Sequence, residues 1–229
     1  MPRTRPAAPA SEAELLLRTA NLAGKTLAHV AAETGVAMPA DQKRMKGWVG
    51  ELIEWRLGAD AASLPEPDFR EIGVELKTLP VNASGQPGES TYVCNVPLIG
   101  NMGTWEGSNV RRKLARVLWV PVEAGDGIPL AQRRIGSAWL WSPDRVEEDS
   151  LRTDWEELTE LIAREGIDRI SARHGRYLQI RPKAANARVL TRYVDRDGAC
   201  AQTNPRGFYL RTAFTKKILA THQRNPDLR

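Results

Sequence analysis

Residues 65–77 constrain the chain more than any other stretch. Pro65 and Pro67 each fix their own φ and turn the preceding residue away from helix, so the chain reaches Asp68 extended. After the turn-like Phe69-Arg70-Glu71-Ile72-Gly73 comes Val74-Glu75-Leu76-Lys77, an apolar β-type run carrying two charges. Strand side chains repeat every second residue, so Glu75 and Lys77 leave one face, with Val74, Leu76 and Leu79 available to pack around them. The carboxylates of Asp68 and Glu75 and the Lys77 ammonium would then meet at one point. Carboxylate oxygens suit a hard divalent cation such as Mg2+, and a nearby ammonium steadies a hydroxide or a phosphate oxygen, which together equip a site for metal-assisted phosphodiester hydrolysis. The same spacing also describes an amphipathic strand with a solvated charged face, and context decides between the two.

Composition narrows the class. A chain of 229 residues, 41% apolar and 27% charged, is long enough for a substantial core in one large domain or two closely packed lobes. No apolar run approaches the roughly 18 to 20 residues of a membrane span. Met1 to Ala10 lacks the apolar centre of a secretory signal, so a cytoplasmic location is expected. Cys94 and Cys200 have neither metal-ligand spacing nor disulfide-scaffold density and read as reduced thiols. His29, His174 and His222 are too scattered for a zinc site. The charge is uneven: residues 164–229 hold 15 Lys+Arg against 5 Asp+Glu, whereas residues 1–163 hold 18 against 23. With Tyr177, Tyr193, Phe208 and Tyr209 interleaved, the basic part has the footprint of a polyanion-binding surface; a solvated basic face is the plainer reading.

Along the chain, residues 1–10 read as a flexible Pro/Ala/Arg tail. Ser11-Glu12-Ala13-Glu14 is a capping box that opens a helix to about Leu22. Further helices are expected after Lys25, stopping near Gly35, and from about Asp41 to Leu57, the latter with a broad apolar face and Glu54 among its charges. Strands are expected at 74–81, 90–96, 116–122 and 135–141, with 82–89 as a hairpin loop. An acidic helix from Pro143 to Arg164 keeps its charges on a wet outer face, with Leu151, Trp155, Leu158 and Ile162 at helical spacing. A strand at 176–181, a helix at 184–193, a strand at 207–211 and a terminal helix at 212–223 complete the prediction.

Taken together, many segments resemble one family. They include Gly47-Trp48-Val49-Gly50, Pro65-Glu66-Pro67-Asp68-Phe69, Gly73-Val74-Glu75-Leu76-Lys77-Thr78 and Val117-Leu118-Trp119-Val120-Pro121-Val122-Glu123. They continue with Pro129-Leu130-Ala131-Gln132-Arg133-Arg134, Ala172-Arg173-His174-Gly175, Gln179-Ile180-Arg181-Pro182-Lys183-Ala184-Ala185-Asn186-Ala187 and Pro205-Arg206-Gly207-Phe208-Tyr209-Leu210. In this order, over about residues 11–222, they look like the MutH family of DNA mismatch-repair endonucleases. The resemblance implies an α/β, restriction-endonuclease-like fold: a mixed sheet flanked by helices, in two lobes that form a DNA-binding cleft. The expected lobes are residues 11–165, carrying the catalytic motif, and the basic residues 166–229, carrying recognition.

The resemblance also implies a substrate and roles. Enzymes of this family nick the unmethylated strand 5′ to the G of hemimethylated GATC, use Mg2+ and are activated by MutL and MutS. Carried over by motif, Asp68, Glu75 and the carbonyl of Leu76 hold one or two Mg2+ ions, Lys77 positions or helps deprotonate the attacking water, and Glu54 is a further active-site carboxylate. Its plainer alternative is a half-exposed helix charge. Lys113, in Arg111-Arg112-Lys113-Leu114, matches a lysine near the active site. Arg181 and Lys183 match the base-reading loop, where such side chains pair with guanine acceptors in the major groove. Tyr209 matches the tyrosine that senses adenine methylation, and Lys46, Tyr92 and Arg173 are placed as further DNA contacts. The segment Gly103-Thr104-Trp105-Glu106 is shorter than the family's usual turn. The protein is expected to act as a monomer. A self-sufficient restriction endonuclease would share the catalytic residues but cut both strands as a dimer. A DNA-binding module would keep the basic part without needing Asp68, Glu75 or Lys77, and a glycosidase built on Asp68 and Glu75 leaves Lys77 and the basic part unexplained.

Overall fold

Helices begin where the sequence supplies an oxygen to cap them. Ser11 Oγ accepts the Glu14 N–H at 3.2 Å ahead of α1 (Glu12–Ala20), and Thr26 Oγ1 accepts the His29 N–H at 3.2 Å ahead of α2 (Leu27–Thr34). The Glu14 carboxylate turns to the Ala10 N–H at 2.9 Å, one residue outside the expected capping box. Helix α2 ends on Gly35 with φ 73°, a left-handed C-cap. Helix α3 spans Gln42–Leu57. The computed structural model describes residues 4–40, 42–61, 64–100, 102–125, 127–183, 188–194 and 199–224, without the side chains of 42–46 and 194.

The remaining elements are β1 (Glu75–Val81), β2 (Thr91–Asn95), α4 (Asn109–Leu114), β3 (Val117–Glu123), β4 (Trp139–Trp141), α5 (Arg145–Glu165), β5 (Leu178–Pro182), β6 (Thr191–Val194), β7 (Cys200–Thr203), β8 (Arg206–Leu210) and α6 (Thr212–Arg224). The chain clusters into two compact units, Met1–Gly88 with Ala115–Ser142 and Glu89–Leu114 with Pro143–Asn225. Residues 89–114 and 143–165, expected with the amino-terminal lobe, thus group with the carboxy-terminal part.

In the first unit β1 runs parallel to β3, with Glu75 opposite Val117 and Lys77 opposite Trp119, and β4 is antiparallel to β3. This is the expected mixed sheet. Leu15, Leu27, Val30, Leu52, Ile53 and Leu57 from the helices pack with Phe69, Val74, Leu76 and Leu118 in one apolar core. At about 1.5 to 3 kcal/mol for each fully buried Leu or Ile, the pair Leu52–Ile53 together with Leu57 fixes the rotation of α3 and with it the side on which Glu54 emerges. The described part of the amino-terminal tail is held: Pro9 is buried, and Arg18 Nη1 donates to Ala7 O and Leu57 O, both at 2.7 Å. A Cβ at Gly58, which has φ 86°, would lie 2.5 Å from Ala7 O, so glycine admits this close approach.

In the second unit β2-β8-β5 form an antiparallel sheet, and β6 and β7 pair in a ladder of their own. Three expectations need correction. Residues 82–89 do turn back, with Asn82 Oδ1 accepting the Ser84 and Gln86 N–H groups and Val81 bridged antiparallel to Pro87, but β1 and β2 belong to different sheets, so the turn does not pair them. The helix expected at 184–193 is strand at its described end: Thr191–Val194 pair with Cys200–Thr203, because β-forming Thr191 and Tyr193 outweigh the alanines before them, while 184–187 lie outside the described residues. The acidic helix is not wet throughout, since Glu147 and Asp154 of α5 are buried. Helix α4 and strand β7 had no counterpart in the sequence reading.

Candidate active site and nucleic-acid interface

A short turn assembles the acidic cluster. Phe69 and Val74 exchange backbone hydrogen bonds, 2.9 Å from the Phe69 N–H and 3.2 Å from the Val74 N–H, and Gly73 at φ 65° closes the loop between them. The chain therefore doubles back, and Asp68 Oδ2 accepts the Leu76 N–H at 2.8 Å. Asp68 is fixed against the same strand that carries Glu75 and Lys77.

Strand β1 gives those two residues one face, where Lys77 Nζ donates to Glu75 Oε1 at 2.5 Å. Glu75 is 3% exposed and Lys77 8%, which disposes of the solvated-strand reading. Removing two charges from water costs more than a hydrophobic pair in the same space, so this pair is poorly explained by stability alone. Glu54 on α3 lies within electrostatic reach. Its carboxyl is pushed up to about 7, first by burial, then by the negative charges of Asp68 and Glu75, against the opposing pull of Lys77 and Arg5. Glu54, Asp68, Glu75 and Lys77 thus form one electrostatic cluster of three carboxyl groups and one ammonium.

That excess of negative charge, offered entirely by oxygen donors, fits a hard divalent cation. Among the described residues no group of three or more His, Cys, Asp or Glu side chains is arranged to hold a metal ion. A cation here would be held by two carboxylates and a main-chain carbonyl, the sparse protein shell that suits an ion retaining several waters.

The raised Glu54 makes a stability prediction for metal-free protein. Its folded value lies above the ordinary 4.5, so its protonated form contributes stability that is complete below about 4.5 and lost as pH rises through about 7. Glu54→Gln is expected to raise unfolding stability at pH 8 by about 2 kcal/mol in the presence of chelator, and to change little at pH 4.5. Urea titrations at the two pH values measure the difference.

The second unit gathers a different set. Tyr92 and Tyr209 are directly opposite on β2 and β8, with ring centroids 5.4 Å apart in an edge contact. Lys183 Nζ sits 3.7 Å above the Tyr92 ring, and the Arg181 guanidinium lies 5.9 Å from the Tyr209 ring while Nη1 donates to Ser90 Oγ at 2.6 Å. Arg181, Pro182 and Lys183 are exposed, whereas Tyr209 is half-buried and its hydroxyl is pushed up by burial. Arg173 is exposed in a loop held from behind by Arg211, which donates to Ala172 O at 2.7 Å, His174 O at 2.8 Å and Gly175 O at 3.1 Å. His174 Nδ1 accepts the Ser171 N–H at 3.1 Å, which ties the imidazole into the same loop. Lys113 lies on α4 in this second unit, and Lys46 lies on α3 of the first with its side chain outside those described. In the shortened turn, Trp105 is buried against Trp155 and donates to Glu148 Oε1 at 2.9 Å.

Residue pattern alone marked neither Asp154 nor Arg211 nor Ser90. Asp154 Oδ1 accepts the Arg176 N–H at 2.7 Å, and Oδ2 accepts those of Tyr177 at 2.6 Å and Leu178 at 2.7 Å, which anchors the start of β5 and the basic loop that follows it. The available signal was weak: an aspartate one residue before the apolar Trp155 of α5.

A mixed sheet whose edge strand β1, with the turn before it, sets an Asp-Glu-Lys cluster beside a helix carboxylate is a restriction-endonuclease-like arrangement. The family model described as DNA mismatch repair enzyme MutH matches residues 57–154, the span that contains Asp68, Glu75 and Lys77. The DNA mismatch repair protein MutH of Yersinia enterocolitica is 56% identical over 218 residues, 95% of this chain and 96% of that protein. The MutH proteins of Vibrio parahaemolyticus and Citrobacter koseri are each 54% identical, over 218 and 225 residues, covering 95% and 97% of this chain and 96% and 98% of theirs. The chain belongs to the MutH family of DNA mismatch repair enzymes.

Proposed function

We propose that this protein is a Mg2+-dependent endonuclease of methyl-directed mismatch repair that nicks the unmethylated strand 5′ to the G of hemimethylated GATC. In this reading it acts as a monomer in the cytoplasm, activated by MutL and, through it, MutS. The observation that carries the chemistry is the Asp68-Glu75-Lys77 cluster, with Glu75 and Lys77 buried and Glu54 beside them. No helix among the described residues is long and apolar enough to cross a membrane.

Asp68, Glu75 and the Leu76 carbonyl would hold the cation, which when bound lowers the pKa of water and offsets charge on the phosphate. The protein's own groups do the rest. The Lys77 ammonium, fixed by Glu75, orients the water and donates to a phosphate oxygen, while Glu54 holds or accepts a proton near neutral pH. Water attacks phosphorus in line, the bond to the 3′ oxygen breaks, and the products are a 3′-hydroxyl and a 5′-phosphate. Arg181 and Lys183 read guanine acceptors, while Tyr209 meets the adenine, where an N6 methyl adds bulk and removes a donor hydrogen. Lys46, Lys113 and Arg173 contribute as phosphate or active-site contacts.

The test offers unmethylated, hemimethylated and fully methylated GATC duplexes to purified protein, with and without Mg2+ and MutL. Nicking confined to the unmethylated strand, dependent on Mg2+ and stimulated by MutL, is expected; partner-independent cleavage of both strands indicates a restriction enzyme instead. Tyr209→Ser in the same assay is expected to narrow the preference for unmethylated over methylated strands about tenfold, with cleavage of unmodified DNA reduced less.

A further inference from the structure

Asn95 is an exposed polar residue on β2 that occupies an unusual place in the ladder. Thr91 pairs with Leu210 and Tyr92 with Tyr209, but the register then slips, and Cys94 pairs with Phe208 and Asn95 with Gly207. In an unbroken strand, positions 92 and 95 point to opposite faces; the extra residue of this bulge resets the alternation and brings Asn95 to the face that carries Tyr92. Cys94 turns into the core beside Phe208.

Two contacts meet on Asn95 there, and a third joins their donors. The Tyr92 hydroxyl donates to Asn95 Oδ1 at 2.9 Å, Lys183 Nζ donates to the same oxygen at 3.2 Å, and that Nζ lies 3.7 Å above the Tyr92 ring. Lysine has no acceptor, so the carboxamide must present its oxygen to it, and both lone pairs of that oxygen are engaged. Opposite Asn95, Gly207 leaves the space that the rings occupy: a Cβ there would meet Tyr92 Cε2 at 2.9 Å and Tyr209 Cε2 at 3.1 Å.

We infer that Asn95 is a specificity-determining positioning residue, which directly and through Tyr92 fixes the Lys183 ammonium beside the Tyr92–Tyr209 pair before DNA arrives. The inference rests on the function proposed above. A lysine on a free four-carbon stem pairs with phosphates and with acceptors at several base positions, whereas an ammonium held at one point rewards only the duplex that brings an acceptor there. Holding it in advance also removes the ordering of a flexible side chain from the binding step. The edge contact with Tyr209 places this clamp in direct touch with the residue assigned to methyl sensing.

The test compares wild type, Asn95→Ala, Tyr92→Phe and the double variant, as full chains with Mg2+, in single-turnover nicking of GATC duplexes and duplexes altered at one base. Asn95→Ala is expected to lower the cognate rate about tenfold and to narrow the cognate-to-altered ratio by about the same factor, with an unchanged melting temperature. Tyr92→Phe is expected to show the same loss, and the double variant no more than either single one, because all three break one unit. A second readout needs no DNA: in NMR spectra the Lys183 methylene protons next to Nζ are expected to be shifted upfield by the Tyr92 ring, to lose the shift in Asn95→Ala and to keep it in Asn95→Asp. Wild-type protein without sequence preference overturns the proposed function. A wild-type preference that Asn95→Ala leaves intact, or Lys183 signals that do not move, overturns this inference alone.

Discussion

Lys77→Ala is expected to lower nicking of a hemimethylated GATC duplex roughly 1,000-fold or more while binding to the same duplex falls little. The reasons separate cleanly. Lys77 is 8% exposed and held by Glu75 inside the first unit, so it contributes no surface for groove contacts. Tyr92, Arg181, Lys183 and Tyr209, assigned to recognition, all lie in the second unit. Removing the ammonium also leaves the Glu75 carboxylate buried without it, a loss that by itself destabilises the fold by about 3 to 5 kcal/mol. Lys77→Met, which retains the apolar stem, with circular dichroism and gel-shift controls, distinguishes lost chemistry from lost structure. A Lys77→Met protein that is folded and nicks at the wild-type rate refutes the role.

Asp154→Ala is expected to destabilise the second unit strongly. Its carboxylate is 4% exposed and accepts three consecutive backbone N–H groups, two on Oδ2 and one on Oδ1. A buried donor left unpaired costs about 1 to 3 kcal/mol, and water can reach the exposed Arg176 end, so the sum is about 4 kcal/mol. For a chain of this size that corresponds to a fall in melting temperature of about 10 °C. Asp154→Asn keeps an oxygen for Tyr177 and Leu178 but turns its amide toward the Arg176 N–H, and is expected to lose roughly half as much. Differential scanning calorimetry of the three proteins gives the order; equal melting temperatures contradict it. Base recognition is expected to weaken alongside, because Asp154 anchors the strand that ends in Arg181 and Pro182.

These predictions also mark what local pattern can reveal. The acidic cluster was legible because it is written in one short stretch: prolines before Asp68, a left-handed glycine at 73 and two-residue alternation through 75 and 77 all act locally. The helix boundaries at Ser11 and Gly35 were readable for the same reason. Glu54 was assigned only through family likeness, since its raised proton affinity depends on carboxylates 14 and 21 positions away. Asp154 looked like one more charge on an acidic helix, and only the backbone of residues 176–178 shows why it is buried. Asn95 was hidden by the bulge, which defeats a face assignment made by counting from Tyr92. The alanines at 184, 185 and 187 favoured a helix that cross-strand pairing of 191–194 with 200–203 overrides in the described part.

The most direct test of the central claim is single-turnover nicking by wild type and Asp68→Ala on a hemimethylated GATC duplex across a Mg2+ titration. Asp68 accepts the Leu76 N–H yet lies outside the β2-β8-β5 sheet, so its loss removes the proposed cation ligand without altering the residues proposed to read DNA. Wild type is expected to nick the unmethylated strand 5′ to G with a saturable dependence on Mg2+, and Asp68→Ala to bind the duplex but leave it intact at every concentration. An Asp68→Ala protein that nicks at the wild-type rate once Mg2+ is saturating would contradict the assignment of this cluster as the cleavage centre.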